Sequence, residues 1–375
     1  METGPEQGKQ ASVKAYRCPN CMAEMTFDAA TGKLGCEHCG HQQEIAGQEG
    51  QQSIVEYDLE DGVARAASRG LGAPVRTTRC QECGATVSFP ENVTATRCDF
   101  CDSGQVLEQE ENRNLISPGS VVPFKVDGKA AAARFKEWIK GLWFRPSDLK
   151  DRANVTEMNG VYVPYWTFDA QVSSSWTAEA GYHYYETEEY TETDAEGNEV
   201  TRTREVQYTR WEPAWGSRSD FFDDLLICAS RGLPEDLARK LSTFDTGELQ
   251  PYSPAFLAGW KAEEYAVDLN EAWKRAIARM ESIQHERCAG DVPGDTHRFL
   301  SVSNHVSDET FKHVLLPVWI SAFRYGDKIY RFLVNGQTGE VVGKAPWSVG
   351  KIVLFCLAIA AVIAGIVVAV KVFGS

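Results

Sequence analysis

The sequence predicts an α+β fold, and three observations carry that expectation. A cysteine frame occurs twice, in RCPNCMAEMTFDAATGKLGCEHCG from Arg17 and in RCQECGATVSFPENVTATRCDFCD from Arg79. A middle region holds all ten tryptophans, and helical and strand periodicities alternate along it. A C-terminal run, IVLFCLAIAAVIAGIVVAV, has no charged side chain. The expected order is two small ribbons, a mixed middle domain with prominent antiparallel hairpins, and one transmembrane helix. By residue this gives a disordered N-terminus (1–14), ribbon 1 (15–46), a helical linker (47–75), ribbon 2 (76–110), the middle domain (113–347) and the helix (351–371).

Both ribbons read C-x2-C-x14-C-x2-C, placing candidate ligands at Cys18, Cys21, Cys36 and Cys39, then at Cys80, Cys83, Cys98 and Cys101. Each C-x2-C turn aims two sulfurs at one ion, and the fourteen-residue arm folds back as a hairpin to bring the second pair across. Four thiolates suit Zn2+, so two zinc ions are expected, and with every position filled by cysteine no site remains for a catalytic water. The repeat extends to Phe27 and Phe89 at equal offsets and to Gly40 and Gly84 after a second knuckle cysteine. Units this small are expected to fold through metal binding. A thioredoxin-like redox role is disfavoured because no βαβ context surrounds the motifs. His38 and His41 read as loop residues rather than ligands.

Eleven cysteines in a secreted chain would suggest disulfides, but eight are paired as C-x2-C and METGPEQGKQASVKAYR lacks a signal peptide's apolar core. A cytosolic, thiol-preserving compartment follows for the N-terminal bulk. The net charge of -15 repels phosphate backbones. Residues 1–110 hold nine Lys/Arg against seventeen Asp/Glu, with no basic stripe that would read nucleic acid.

Between the ribbons, SIVEYDLEDGVARAASRGLG places Ile54, Tyr57, Leu59, Val63 and Ala66 roughly on one side of a short helix; a flexible spacer is the alternative. In the middle domain, GKAAAARFKEWIKGLW behind Asp127 as N-cap and LNEAWKRAIARMESIQ, with Ala272, Trp273, Ala276, Ile277, Met280 and Ile283 at helical spacing, read as packing helices. VPYWTFDA and LLPVW share a proline-x-tryptophan entry into strand pattern, suggesting two related β units, and YRFLV-NGQTG-EVVG reads as a hairpin. The segment 183–211 brings Glu186, Glu188, Glu189, Glu192 and Asp194 back past Arg202, Arg204 and Arg210 across an AEGN turn. This is an exposed Thr-rich hairpin with cross-strand ion pairs, or an arm that docks a partner.

The apolar run from Ile352 to Val370 reaches about 28 Å, enough to cross a bilayer's hydrocarbon core. Lys344 and Lys351 before it support a cytoplasmic bulk and a single-pass cell-membrane protein. No chemistry signature accompanies it: GPEQGKQ and GEVVGKA are one residue short of a phosphate loop, and GxSxG, HExxH and GxGxxG are missing. Cys228, Cys288 and Cys356 have no local nucleophile context toward His285, His297, His305 or His313, and Asp223 and Asp224 read as a solvated or capping pair. No catalytic residue, cofactor-binding residue or small-molecule substrate is expected.

Through RCPNC and CEHC, RCQEC and RCDFC, VPYWTFDA, FLAGWKAEEYAVDL, LLPVW, YRFLVNGQTGEVVGKAP and the final helix, the chain resembles bacterial tail-anchored membrane proteins with a double TFIIB-type zinc ribbon, often labelled primosomal-helicase-like. The resemblance implies a non-enzymatic membrane tether working beside flotillin-like (SPFH) or phage-shock proteins in envelope stress. The rival expectation is a membrane-associated nucleic-acid-binding protein of replication or transcription. Met22 and Asp102 depart from the family's glycine after the knuckle.

Overall fold

The computed structural model describes residues 16–45, 54–60, 70–71, 75–90, 97–109, 112, 115–148, 158–193, 197–241, 243–325 and 328–373. Segment 1–14 and the later part of the expected linker helix, 61–69, lie outside them. Within the described residues the chain is α+β, organised around one strand of unusual length.

That strand, β9 (Asn159–Thr193), runs 35 residues, a contour of about 115 Å. Its sequence changes character twice, and its burial follows. VYVPYWTFDA is apolar on both faces and is buried on both; QVSSSWTAEA alternates and is buried on one; from Tyr182 onward the strand is polar and mostly exposed. Its partners are β10 (Glu199–Cys228) along one edge and β13 (Thr296–Tyr325) along the other, both antiparallel. VPYW and LLPVW therefore lie side by side, with Val163 opposite Leu316 and Pro164 opposite Leu315.

The remaining strands add to this trio. β4 (Tyr57–Asp58), β8 (Ser120–Val121) and β14 (Lys328–Asn335) pair with β13, β11 (Gln250–Pro251) with β8, and β15 (Val341–Gly343) with β14. The NGQTG hairpin forms as expected: Asn335 Oδ1 accepts from the backbone N–H of Gln337 and Thr338, and Gly339 takes φ +78°. The start of the expected linker helix is a strand instead, because the Tyr57 ring packs tilted against Phe311 of β13 and Leu59 N–H donates to the Glu309 carbonyl.

Helix α1 (Gly128–Gly141) is capped by Asp127, whose side chain accepts from Ala130 N–H, and buries Phe135 and Ile139 against Phe332. Short α2 (Glu235–Lys240) packs near the end of β10. Helix α3 (Leu269–Asp291), capped by Asp268, buries Ala272, Ala276, Met280, Gln284 and Cys288 at i+4 spacing over β9, β10 and β13. Helix α4 (Val349–Phe373) is long and apolar enough to span a membrane, with none of its apolar window buried inside the protein.

Candidate metal centres

The eight predicted cysteines gather into two groups of four, each of which could hold a metal ion. In the first, Cys18 Sγ lies 3.5 Å from Cys39 Sγ and Cys21 Sγ 3.5 Å from Cys36 Sγ. In the second, the corresponding Cys80–Cys101 and Cys83–Cys98 separations are both 3.6 Å. Thiolates around a tetrahedral ion at about 2.3 Å stand about 3.8 Å apart, so both groups fit such an ion with little adjustment. His38 and His41 are outside both groups, and His41 Nδ1 meets Asn20 instead.

Four equivalent turns build the sites. In each, the first cysteine's carbonyl accepts from the N–H four residues on, and its N–H donates to the carbonyl five residues on: Met22 and Ala23 for Cys18, Gly40 and His41 for Cys36, Gly84 and Ala85 for Cys80, Asp102 and Ser103 for Cys98. The fourth residue after the first cysteine must then sit at positive φ, +74° at Gly40 and +77° at Gly84. Met22 and Asp102 adopt the same conformation, +63° and +58°, so the departure from glycine leaves the turn unchanged and adds backbone strain. The crowded sulfurs disturb one another's protons. A hydrogen bond from the Cys39 backbone brings the Cys36 thiol down to about 6, while the Cys83 contact and burial raise Cys98.

The sites sit on opposite faces of the central strands. Site 2 shares a core with Val161, Val163 and Tyr165 of β9 and with Val314, Leu316 and Val318 of β13; site 1 shares one with Tyr162, Leu315 and Trp319. Odd and even positions of one strand thus face different metal groups. The ribbons consequently differ from self-contained units. Site 2's strands β5 (Val75–Cys80), β6 (Thr86–Pro90) and β7 (Val106–Gln109) join the large sheet through β12 (Lys261–Glu263), whereas site 1 keeps a separate sheet of β1 (Thr26–Asp28), β2 (Lys33–Gly35) and β3 (Gln42–Gln43).

One segment, Phe256 to Glu264, grips both. Toward site 1, Ala258 carbonyl accepts from Phe27 N–H at 2.8 Å, Trp260 Nε1 donates to the Phe27 carbonyl at 2.8 Å, and the Phe27 and Phe256 rings meet edge to face. Toward site 2, Lys261 Nζ bonds Asp99 at 2.5 Å, and Ala262 and Glu263 pair with Ser88 and Val87. Asp99 lies inside the CDFC knuckle, and burial raises its carboxyl despite the lysine. FLAGWKAEE carries no local metal pattern, so spacing alone gave no sign of this role.

Other buried polar groups also escape local patterns. Lys312 lies 2.7 Å from Asp224 and 2.8 Å from Glu56, which makes Asp224 a half-buried ion-pair partner rather than the solvated or capping residue expected. Burial pushes the Cys228 thiol up to about 12 and raises Cys288, holding both neutral near pH 7. His313 is held down to about 4 by burial, its Nδ1 engaged with the Ile116 carbonyl at 2.8 Å.

Beyond Gly181, β9 and β10 continue as a two-stranded arm of twelve register pairs, from Tyr182–Arg210 to Thr193–Glu199, about 40 Å long. Arg204 pairs with Glu188 at 3.0 Å and Arg202 with Glu192 at 3.2 Å, the cross-strand pattern expected. Tyr184 stacks on Tyr208 at 5.7 Å.

The chain is similar to the uncharacterized protein YdjG of Bacillus subtilis (strain 168), 29% identical over 345 residues that cover 91% of this chain and 92% of the relative. No family model matches the sequence. No solved structure matches it.

Proposed function

We propose that this protein is a non-enzymatic membrane adaptor, stapled by two zinc ions, that holds a cytosolic protein partner at the cell membrane through its β arm. The observation that carries this reading is the placement of the arm and the apolar helix. β15, which leads into α4, is joined through β14 and β13 to the beginning of β9, whereas the arm is the far end of the same strand. A spacer of about 100 Å along β9 suits a device that keeps a partner near a surface and raises its effective concentration there. Zinc is the ion that four thiolates favour, and thiolates persist in the reducing cytoplasm, which supports placing the bulk on that side. The resemblance to tethers of flotillin-like (SPFH) and phage-shock systems supplies the partner class.

The test is crosslinking and mass spectrometry on full-length protein purified gently from its own cells. It is set beside a variant in which residues 184–208 are replaced by Asn-Gly and a Cys98→Ser variant. The shortened arm is expected to keep both zinc ions and membrane attachment while losing the partner, and Cys98→Ser to drop the zinc content from two to one. Retention of the partner by the arm-less protein would overturn the docking assignment.

A further inference from the structure

Helix α4 does not leave the folded body through a free linker. Ser348 N–H donates to the Phe144 carbonyl at 2.9 Å, and the Phe144 ring meets Phe355, inside the apolar helix, edge to face at 5.2 Å. Arg145 lies over the Trp347 ring at 3.7 Å. The loop after α1, Leu142-Trp143-Phe144-Arg145, is therefore packed on the first turns of the apolar helix. Two tryptophans stand out from this junction, Trp143 at 74% exposure and Trp347 at 63%. Neither fills a core, and both flank the point where the apolar run begins.

Charge points the same way. In a chain of net charge -15, α1 carries Lys129, Arg134, Lys136 and Lys140 against Glu137 alone, and Arg145 and Lys351 follow at the junction. Lys136 and Lys140, one helical turn apart and both exposed, lie at the end of α1 nearest the loop. Tryptophan rings settle at the headgroup level of a bilayer, and basic side chains beside a membrane helix are drawn to anionic lipid.

We infer that the C-terminal end of α1, the Trp143–Arg145 loop and Trp347 form a platform that lies in the headgroup layer of an anionic bilayer, fixing the attitude of the whole sheet to the membrane. The occupant is the lipid surface itself, because the platform is continuous with the helix that would cross it. This inference rests on the membrane reading of α4. A platform seated in lipid also gives a direction to the arm, which a flexible tether would not.

Full-length protein is reconstituted into phosphatidylcholine vesicles with and without phosphatidylglycerol, with lipids brominated high on the acyl chain, and tryptophan emission is recorded. Trp143→Phe/Trp347→Phe removes two of the ten tryptophans, both exposed, so folding is retained. The double variant is expected to stay resistant to alkaline extraction yet lose most of the bromolipid quenching seen in the parent. Lys136→Glu/Lys140→Glu is expected to weaken quenching only where phosphatidylglycerol is present, and added salt to do the same. Equal quenching of parent and double variant in an extraction-resistant protein overturns the platform alone. Equal quenching with and without phosphatidylglycerol overturns its electrostatic part. Release of the parent by alkaline extraction overturns the membrane reading itself.

Discussion

Glu263 offers a quantitative test of the structure. It sits on β12 opposite Val87, fully buried. Ser230 Oγ donates to its Oε1 at 2.8 Å, while among the described residues Oε2 has no partner. Burial, only partly offset by the Ser230 and Gly232 contacts, lifts the carboxyl from 4.5 to about 8. The folded protein therefore keeps a proton that the unfolded chain releases above its ordinary value. Below pH 4.5 both states are protonated and nothing is lost. As pH rises from there toward 8, stability falls by about 1.4 kcal/mol per unit. At pH 7 the accumulated loss is about 3 kcal/mol.

Glu263→Gln removes the titration and keeps an oxygen for Ser230, so it should stabilise the protein by roughly that amount at pH 7. The measurement is urea unfolding of full-length parent and variant in detergent, followed by near-ultraviolet circular dichroism from pH 6 to 9. The difference between them should widen by about 1.4 kcal/mol per pH unit up to pH 8 and then level off. Both proteins carry the same cysteine groups, so metal loss affects both alike. A difference that stays flat across this range would refute the placement of Glu263 in a dry core.

Two further perturbations probe the metal groups. Lys261→Met leaves the Asp99 side chain, 6% exposed, without its cation; it should cost about 2 kcal/mol, and adding Asp99→Asn should recover most of it, read as melting temperature and metal content. Met22→Gly relieves the positive φ in the first knuckle; the net gain should be about 0.5–1 kcal/mol, read as slower removal of one metal ion by a chelator.

What the sequence made legible was local. The C-x2-C spacing named all eight sulfurs that gather, because a knuckle is set by bonds spanning five residues. The Asp127 cap, the i+4 face of α3 and the NGQTG hairpin were likewise visible as short-range patterns. The strand pattern at VPYWTFDA and the polar hairpin over 183–211 were legible too, but as separate segments and not as one strand of 35 residues. The contacts that seat the ribbons were not. Trp260 reaches Phe27 across more than two hundred positions, and Lys261 reaches Asp99 across 162. No periodicity encodes such a pair. Tyr57 went astray for the same reason: IVEYDLED has an adequate helical side, but an edge of β13 and the Phe311 ring outweigh so weak a local preference.

These long-range contacts change what the metals do. An isolated ribbon would spend its metal-binding energy on folding itself. Here Cys80, Cys98 and Cys101 pack in one core with Val161 and Tyr165, while Cys18 and Cys36 share another with Tyr162, so both metal groups brace the same stretch of β9 from opposite faces. That stretch is the beginning of β9, whose far end is the arm. A two-stranded ribbon is marginal by itself in water, and exposed ion pairs such as Arg204–Glu188 add little. The arm's direction must come from its base, where β13 begins opposite Gly181, Asp295 N–H donates to the Gly181 carbonyl at 2.8 Å and the Asp295 carboxylate accepts from His183 N–H at 2.7 Å. The metal groups and the arm base thus hold β9 at two separate places, joined by the central strands between them. Loosening either metal group should therefore disturb the beginning of β9 first, while the arm keeps its own base at Gly181 and Asp295.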